Sequence, residues 1–183
     1  KRSAARGLTE YTQVIIHEAD RLQALVDRLL APHRKPHVVG DVNIHEVCER
    51  VRLLISSEFP RGLEVQRDYD TSIPEFRGDR EQLIQAVLNI VRNATEALAE
   101  QIAAGSARLV LRTRIARQVT IGKQRYRLAL ELHVQDNGPG VPTDQIERLM
   151  RPFERGDAAR SGSGGAGLGL SIVQRIARMH GGD

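Results

Sequence analysis

The sequence predicts an α/β chain: helices laid on one face of a mixed, mostly antiparallel sheet as a two-layer sandwich, with one further helix ahead of it. Three observations carry this. A long helical run spans residues 82–102, alternating apolar and polar residues mark strands at 63–69 and 108–115, and a hairpin signal at Gly122 leads into a long strand entering Asp136.

Taken in order, Tyr11, Val14, Ile15, Leu22, Leu25, Val26 and Leu29 recur at helical spacing between Thr9 and Leu30, with polar residues between them. Pro32 and Pro36 end this helix before a basic stretch, residues 31–37. Its apolar stripe has no evident partner in the remaining pattern, so it is expected to pack on another subunit or a missing element; folding onto its own domain is the alternative. The segment VVGDVNIHEVCERVRLLISSEF predicts a short strand passing into a helix opened near Asn43. Leu63–Tyr69 reads as the next strand, and Asp79 precedes the long helical run. VTIGKQRYRLALELHVQD then supplies the hairpin and the long strand, and no internal repeat is present. The expected organisation is a helix over residues 1–31, a linker over 32–37 and an α/β domain over 38–183.

With 183 residues and 40% hydrophobic content the chain has material for one good core. The net charge of +4 and a pI near 9.7 raise nucleic-acid binding as a possibility, but the 27 basic residues are interleaved with 23 acids and aromatics are only 3%. Direct nucleic-acid contact is therefore not expected. The single cysteine, Cys48, excludes an internal disulfide and lacks Cys or His neighbours at zinc-ligand spacing. The segment has no apolar run of roughly 18 residues and no signal core, and is expected to be cytoplasmic with no membrane span.

Chemistry concentrates in three places. In Asn89-Ile90-Val91-Arg92-Asn93-Ala94-Thr95-Glu96, residues 89, 93 and 96 share one helix face. Neutral carboxamide oxygens suit a magnesium ion that keeps most of its water and takes other ligands from phosphates. Asp136-Asn137-Gly138-Pro139-Gly140 closes a strand and turns abruptly; a buried-edge carboxylate there can accept from an exocyclic amine such as that of adenine, while the glycines admit a flat base. The run SGSGGAGLGL, ending at Leu170, passes straight into a helical segment, and free backbone N–H groups beside a helix start suit a phosphate chain. No Gly-Lys-Ser/Thr follows, which excludes a Walker A loop. Separately, each has an ordinary reading: a solvated Asn pair, a strand-end turn, a flexible linker.

In order and spacing the three resemble the ATP-binding domain of sensor histidine kinases, within the wider family that includes Hsp90, DNA gyrase and MutL. Asn89–Glu96 matches the N box, Asp136–Gly140 the G1 box, Met150-Arg151-Pro152-Phe153 the F box and Gly165–Leu170 the G2 box. The resemblance implies that ATP and Mg2+ bind here, with Asn93 on the metal, Asp136 reading the adenine, and residues 151–166 forming a lid. It further implies nucleotide contacts from Asn89, Arg92, Gly138, Gly140, Gly165, Gly167, Leu168 and Gly169, with Arg155 the candidate for touching phosphate and Arg92 and Arg160 behind it.

Residues 9–150 look like the nitrogen-regulation branch of that family, whereas RPFERGDAARSGSGGAGLGLSIVQRIARMHGG looks like the lid and G2 region of EnvZ-type osmosensor kinases. The branch implies a homodimer through the N-terminal helix, an NtrC-type response regulator and a PII signalling protein as partners. Met150 stands where an aromatic is usual and Ala166 where Thr is common. The family's phosphoacceptor motif is absent, since His17-Glu18 continues as Ala19-Asp20-Arg21 without Asn-Pro, and a final strand is expected after Asp183. An ATPase of the same superfamily carries a water-activating Glu where this chain has Asn89, and an amide cannot take that proton. A docking module that binds nucleotide without turnover is the third alternative.

Overall fold

Asn43 makes the first junction. From extended backbone its Oδ1 accepts the His45 N–H at 2.9 Å, opening helix α1 (Ile44–Glu58) directly after strand β1 (Val39–Val42). The computed structural model describes residues 38–149 and 169–183. The chain divides into two units, Lys1–Val38 and Val39–Asp183, and the described residues lie almost wholly in the second.

Along α1, Ile44, Val47, Cys48, Val51 and Ile55 recur on one side and are all buried. Strand β2 (Leu63–Tyr69) lies where alternation places it. Strand β3 (Phe76–Asp79) pairs antiparallel with β1, from Val39 opposite Asp79 to Val42 opposite Phe76. The pattern gave no sign of this strand, because Arg77-Gly78-Asp79 offers no apolar alternation. Asp79 then caps helix α2 (Arg80–Ala97), its Oδ1 accepting the N–H groups of Glu81 and Gln82 at 3.1 and 3.2 Å.

The single helix expected over 82–102 is two. The chain leaves helical geometry at Leu98 (φ −92°, ψ 8°), whose fully buried side chain anchors the break, and resumes as α3 (Ala99–Ala103). Strand β4 (Ala107–Ile121) runs six residues beyond the expected end at Ile115, straight into the hairpin. It turns at Gly122, whose φ is +60°, into β5 (Gln124–Asp136). Sheet order is β2-β4-β5: β2 pairs parallel with β4, and β4 antiparallel with β5. This three-stranded sheet is mixed, as the pattern predicts, and β1 with β3 forms a separate antiparallel pair. Helix α4 (Thr143–Leu149) follows β5, and α5 (Gly169–Met179) closes the described chain.

Beyond α5, Gly182 N–H donates to Ala177 O at 2.8 Å and Gly181 N–H to Arg178 O at 3.1 Å, with Gly181 at φ +77°. This left-handed C-terminal cap satisfies two carbonyls that the helix end would otherwise leave bare.

The core lies between the sheet and the two long helices. Leu109 and Leu111 of β4 meet Val47, Cys48, Val51 and Ile55 of α1 and Val87, Val91 and Ala94 of α2 in one cluster. Buried Thr113 is satisfied: its Oγ1 accepts the Asp70 N–H at 3.1 Å and bonds His45 Nε2 at 3.1 Å. Burial pushes the Cys48 thiol up to about 12, helped by the Glu49 charge, so this cysteine is packing material rather than a nucleophile. No helix among the described residues is long and apolar enough to cross a membrane.

The opposite sheet face carries charge. Arg114 binds both oxygens of Asp68 at 2.8 Å, and Arg112 Nε reaches Asp68 Oδ2 at 2.6 Å. Hydrogen bonds from Arg114 and then Arg112 hold this carboxyl below its ordinary 3.8. A depressed carboxylate stabilises the fold fully above its ordinary value, and loses that effect as pH falls through the lower folded value. Asp68→Asn is thus expected to flatten the fall in Tm as pH drops below the ordinary carboxylate range, measured by thermal melts. An acid limb as steep as the parent's would contradict this.

Candidate functional site

Helix α2 is the spine of the site. Asn89, Arg92 and Asn93 lie on its second half, Asn89 half-buried and the other two exposed. The Asn89 Nδ2 is buried and has no hydrogen-bond partner among the described residues. A donor in that position suits an anionic oxygen, because a buried N–H left unmade costs about 1–3 kcal/mol.

Two distant segments reach the same end of α2. Gly169, the first residue of α5, sits where an added Cβ would lie 3.5 Å from Asn93 Oδ1 and 3.6 Å from Nδ2, so the start of α5 abuts the Asn93 carboxamide. One turn further along, a Cβ on Gly138 would lie 3.6 Å from both Ala97 O and Leu98 Cδ2. The same Cβ would come 2.8 Å from Asp136 Oδ1, the atom that accepts the Gly138 N–H at 2.8 Å. A side chain at 138 would push this carboxylate aside and disturb its bond to the turn.

Asp136 stands at the end of β5, opposite Leu109. It is exposed, not at a buried edge as its alternation with apolar residues suggested. Among the described residues β5 is paired on one side only, by β4, and Asp136 is its last residue. Asn137, to which the sequence reading gave no role, fixes the turn to the start of β4. Its Oδ1 accepts the Arg108 N–H at 2.7 Å and its Nδ2 donates to Ser106 O at 3.0 Å. An Asn beside a strand-end Asp was the available signal, since such side chains commonly bond nearby backbone. Gly140 follows with φ +76°. Arg92 is directed to α1, forming a 4.0 Å ion pair with Glu58. Arg155, Arg160, Gly165, Gly167, Leu168 and the helix expected around His17 lie outside the described residues.

The groups present fit a magnesium ion with phosphates. Among the described residues no cluster of three His, Cys, Asp or Glu is placed to hold a metal, whereas the Asn93 carboxamide oxygen is exposed beside a helix start. Such a neutral ligand suits an ion that brings its own water and phosphate oxygens.

A family model described as histidine kinase-, DNA gyrase B-, and HSP90-like ATPase matches residues 78–183, more than half of the chain. The chain belongs to this family. The match takes in α2, β4, β5 and α5, the elements that converge on the site. Among curated proteins, the sensory histidine kinase/phosphatase NtrB of Salmonella typhimurium is 47% identical over 177 residues, covering 96% of this chain and 48% of that protein. The chain thus spans about half the length of the curated relatives it matches. A mycobacterial sensor histidine kinase, MprB, superposes with a TM-score of 0.61 at 26% identity, over 78% of this chain and 82% of that one. Full-length ShkA, solved in complex with AMPPNP, gives a TM-score of 0.58 at 25% identity, over 94% of this chain and 34% of its own. The α/β sandwich of the family is accordingly the fold found here.

Proposed function

We propose that residues 38–183 are the ATP-binding catalytic core of a two-component sensor histidine kinase of the nitrogen-regulation type, transferring the γ-phosphoryl of ATP to a histidine outside this segment. The observation that carries this reading is the meeting of three sequence-distant motifs at one end of α2: Asn93 with Gly169, and Gly138 with Ala97 and Leu98. The AMPPNP bound to ShkA and the naming of NtrB support it.

In this reading the Asp136 carboxylate accepts from the adenine amine, and Gly138 and Gly140 leave room for the base. The first turn of α5, at Gly169, directs N–H groups and the positive end of the helix dipole at the phosphates. The buried Nδ2 of Asn89 donates to a phosphate oxygen, and Asn93 Oδ1 ligates magnesium. When bound, that ion neutralises charge on the phosphates as the phosphoryl group leaves. Arg155, with Gly165, Gly167 and Leu168, completes the phosphate contacts from the lid, with Arg160 behind it and Arg92 joining once it leaves its exposed 4.0 Å pairing with Glu58. Transfer then depends on positioning more than on covalent chemistry by the protein.

Asn89 also separates this activity from ATP hydrolysis by superfamily ATPases, because its amide cannot act as a general base. The proposed assembly is a cytoplasmic homodimer formed through the N-terminal helix (1–31, with a 32–37 linker), acting on an NtrC-type response regulator and answering to a PII signalling protein.

The test is transfer in trans: the chain is incubated with γ-labelled ATP, magnesium and a separately supplied acceptor hairpin of an NtrB-type kinase. Label is expected on the hairpin histidine, with little free phosphate. Free phosphate as the main product would favour the ATPase, and bound ATP without either product would favour a docking module.

A further inference from the structure

Helices α2 and α5 lie antiparallel, and each end of the pair has its own contact. At the site end Gly169 abuts Asn93; at the far end His180, the residue after α5, meets Asp79, the cap of α2. We infer that His180 is a positioning residue for the nucleotide site, acting through the whole length of α5.

The ring is held on both sides. Its Nε2 accepts the Asp79 backbone N–H at 2.9 Å, and its Nδ1 lies 2.8 Å from Ile176 O. A carbonyl only accepts and an amide N–H only donates, so the proton resides on Nδ1 and the neutral tautomer is specified. Gly78 makes room: a Cβ there would come 3.1 Å from His180 Cδ2. Asp79 is also the residue of β3 that pairs with Val39, so the ring engages backbone fixed by both a strand ladder and a helix cap. Beyond it, the glycine cap through Gly181 and Gly182 holds the ring at a defined angle to the last turn of α5. Buried Ile176, one turn before His180, anchors the same end.

A helix is stiff along its axis, so fixing one end fixes the other. From His180 back to Gly169 is about 16 Å at 1.5 Å per residue. With the far end latched on Asp79, the first turn of α5 is set at Asn93; without the latch, α5 can slide or tilt on α2, and the amides meant for phosphate move with it. The consequence for ATP rests on the nucleotide reading above, whereas the coupling between the two helix ends does not.

The test uses the full chain and three variants. His180→Phe keeps the ring but removes the acceptor, His180→Gln restores an acceptor oxygen, and Gly78→Ala keeps the histidine while crowding it. In nucleotide-free protein, the Asn93 side-chain and Gly169 backbone NMR signals are expected to shift in His180→Phe and Gly78→Ala, and to return towards parent values in His180→Gln. ATP affinity, titrated well below the melting point, is expected to fall roughly tenfold in His180→Phe and to recover largely in His180→Gln. A lower Tm in His180→Phe with Asn93 and Gly169 signals and ATP affinity all unmoved would overturn the inference and leave His180 a local stabiliser. If the parent binds no ATP, the nucleotide reading fails, and the NMR signals alone then decide whether His180 sets the distant end.

Discussion

Asp136→Asn is expected to weaken ATP binding by roughly 10- to 100-fold while leaving the fold intact. The carboxylate has two oxygens with separate tasks. Oδ1 accepts the Gly138 N–H at 2.8 Å and so shapes the turn. The second oxygen is the one proposed to accept from the adenine amine. An asparagine can keep the first bond through its own Oδ1, which preserves the turn. What then faces the adenine is an NH2 group, a donor against a donor, and the charge is gone as well. A hydrogen bond to a charged group contributes about 1.5–3 kcal/mol, and each 1.4 kcal/mol is a factor of about ten in affinity. Calorimetric titration of parent and variant measures this directly; equal affinities would remove Asp136 from the adenine contact.

Leu111→Ala is expected to have the opposite signature, a large loss of stability with no loss of affinity in the protein that remains folded. Leu111 is fully buried on the central strand, opposite Arg67 of β2 and Val134 of β5, and belongs to the cluster shared by sheet and helices. Truncation removes the transfer energy of the lost methyls and leaves a cavity, together about 2–5 kcal/mol. A domain has about 5–15 kcal/mol in total, so the urea midpoint should fall steeply at an unchanged slope. A shift below about 1 kcal/mol would mean that the sheet and helices do not close over this residue as described.

The sequence carried the elements whose burial is one-sided. β2 was bounded to the residue, because Leu63–Tyr69 alternates, and Asn43 marked the start of α1 because a short polar side chain before an apolar helical run is a cap. β3 escaped notice because its identity comes from pairing with β1, and nothing within Phe76–Asp79 signals that pairing. The break at Leu98 was hidden for a similar reason: leucine is a good helix former, and its full burial is a tertiary fact.

At the site, residue types were legible and their environments less so. Asn93, Asp136, Gly138 and Gly169 announced themselves through motif spacing, and the fold brings their segments to one end of α2. The exposure of Asp136 goes with β5 being paired on one side only among the described residues, and the clamp of Asn137 on Ser106 and Arg108 depended on the β4 register. His180 and Asp79 are too far apart in sequence for any periodicity to link them, and only the antiparallel packing of α5 on α2 does so.

The most direct test of the account is a calorimetric titration of ATP into the chain, with and without magnesium, on protein shown to be folded by circular dichroism. Saturable binding that magnesium strengthens is the expected result. Heats no larger than dilution from a folded chain would contradict the nucleotide site itself, and binding indifferent to magnesium would contradict the role given to Asn93.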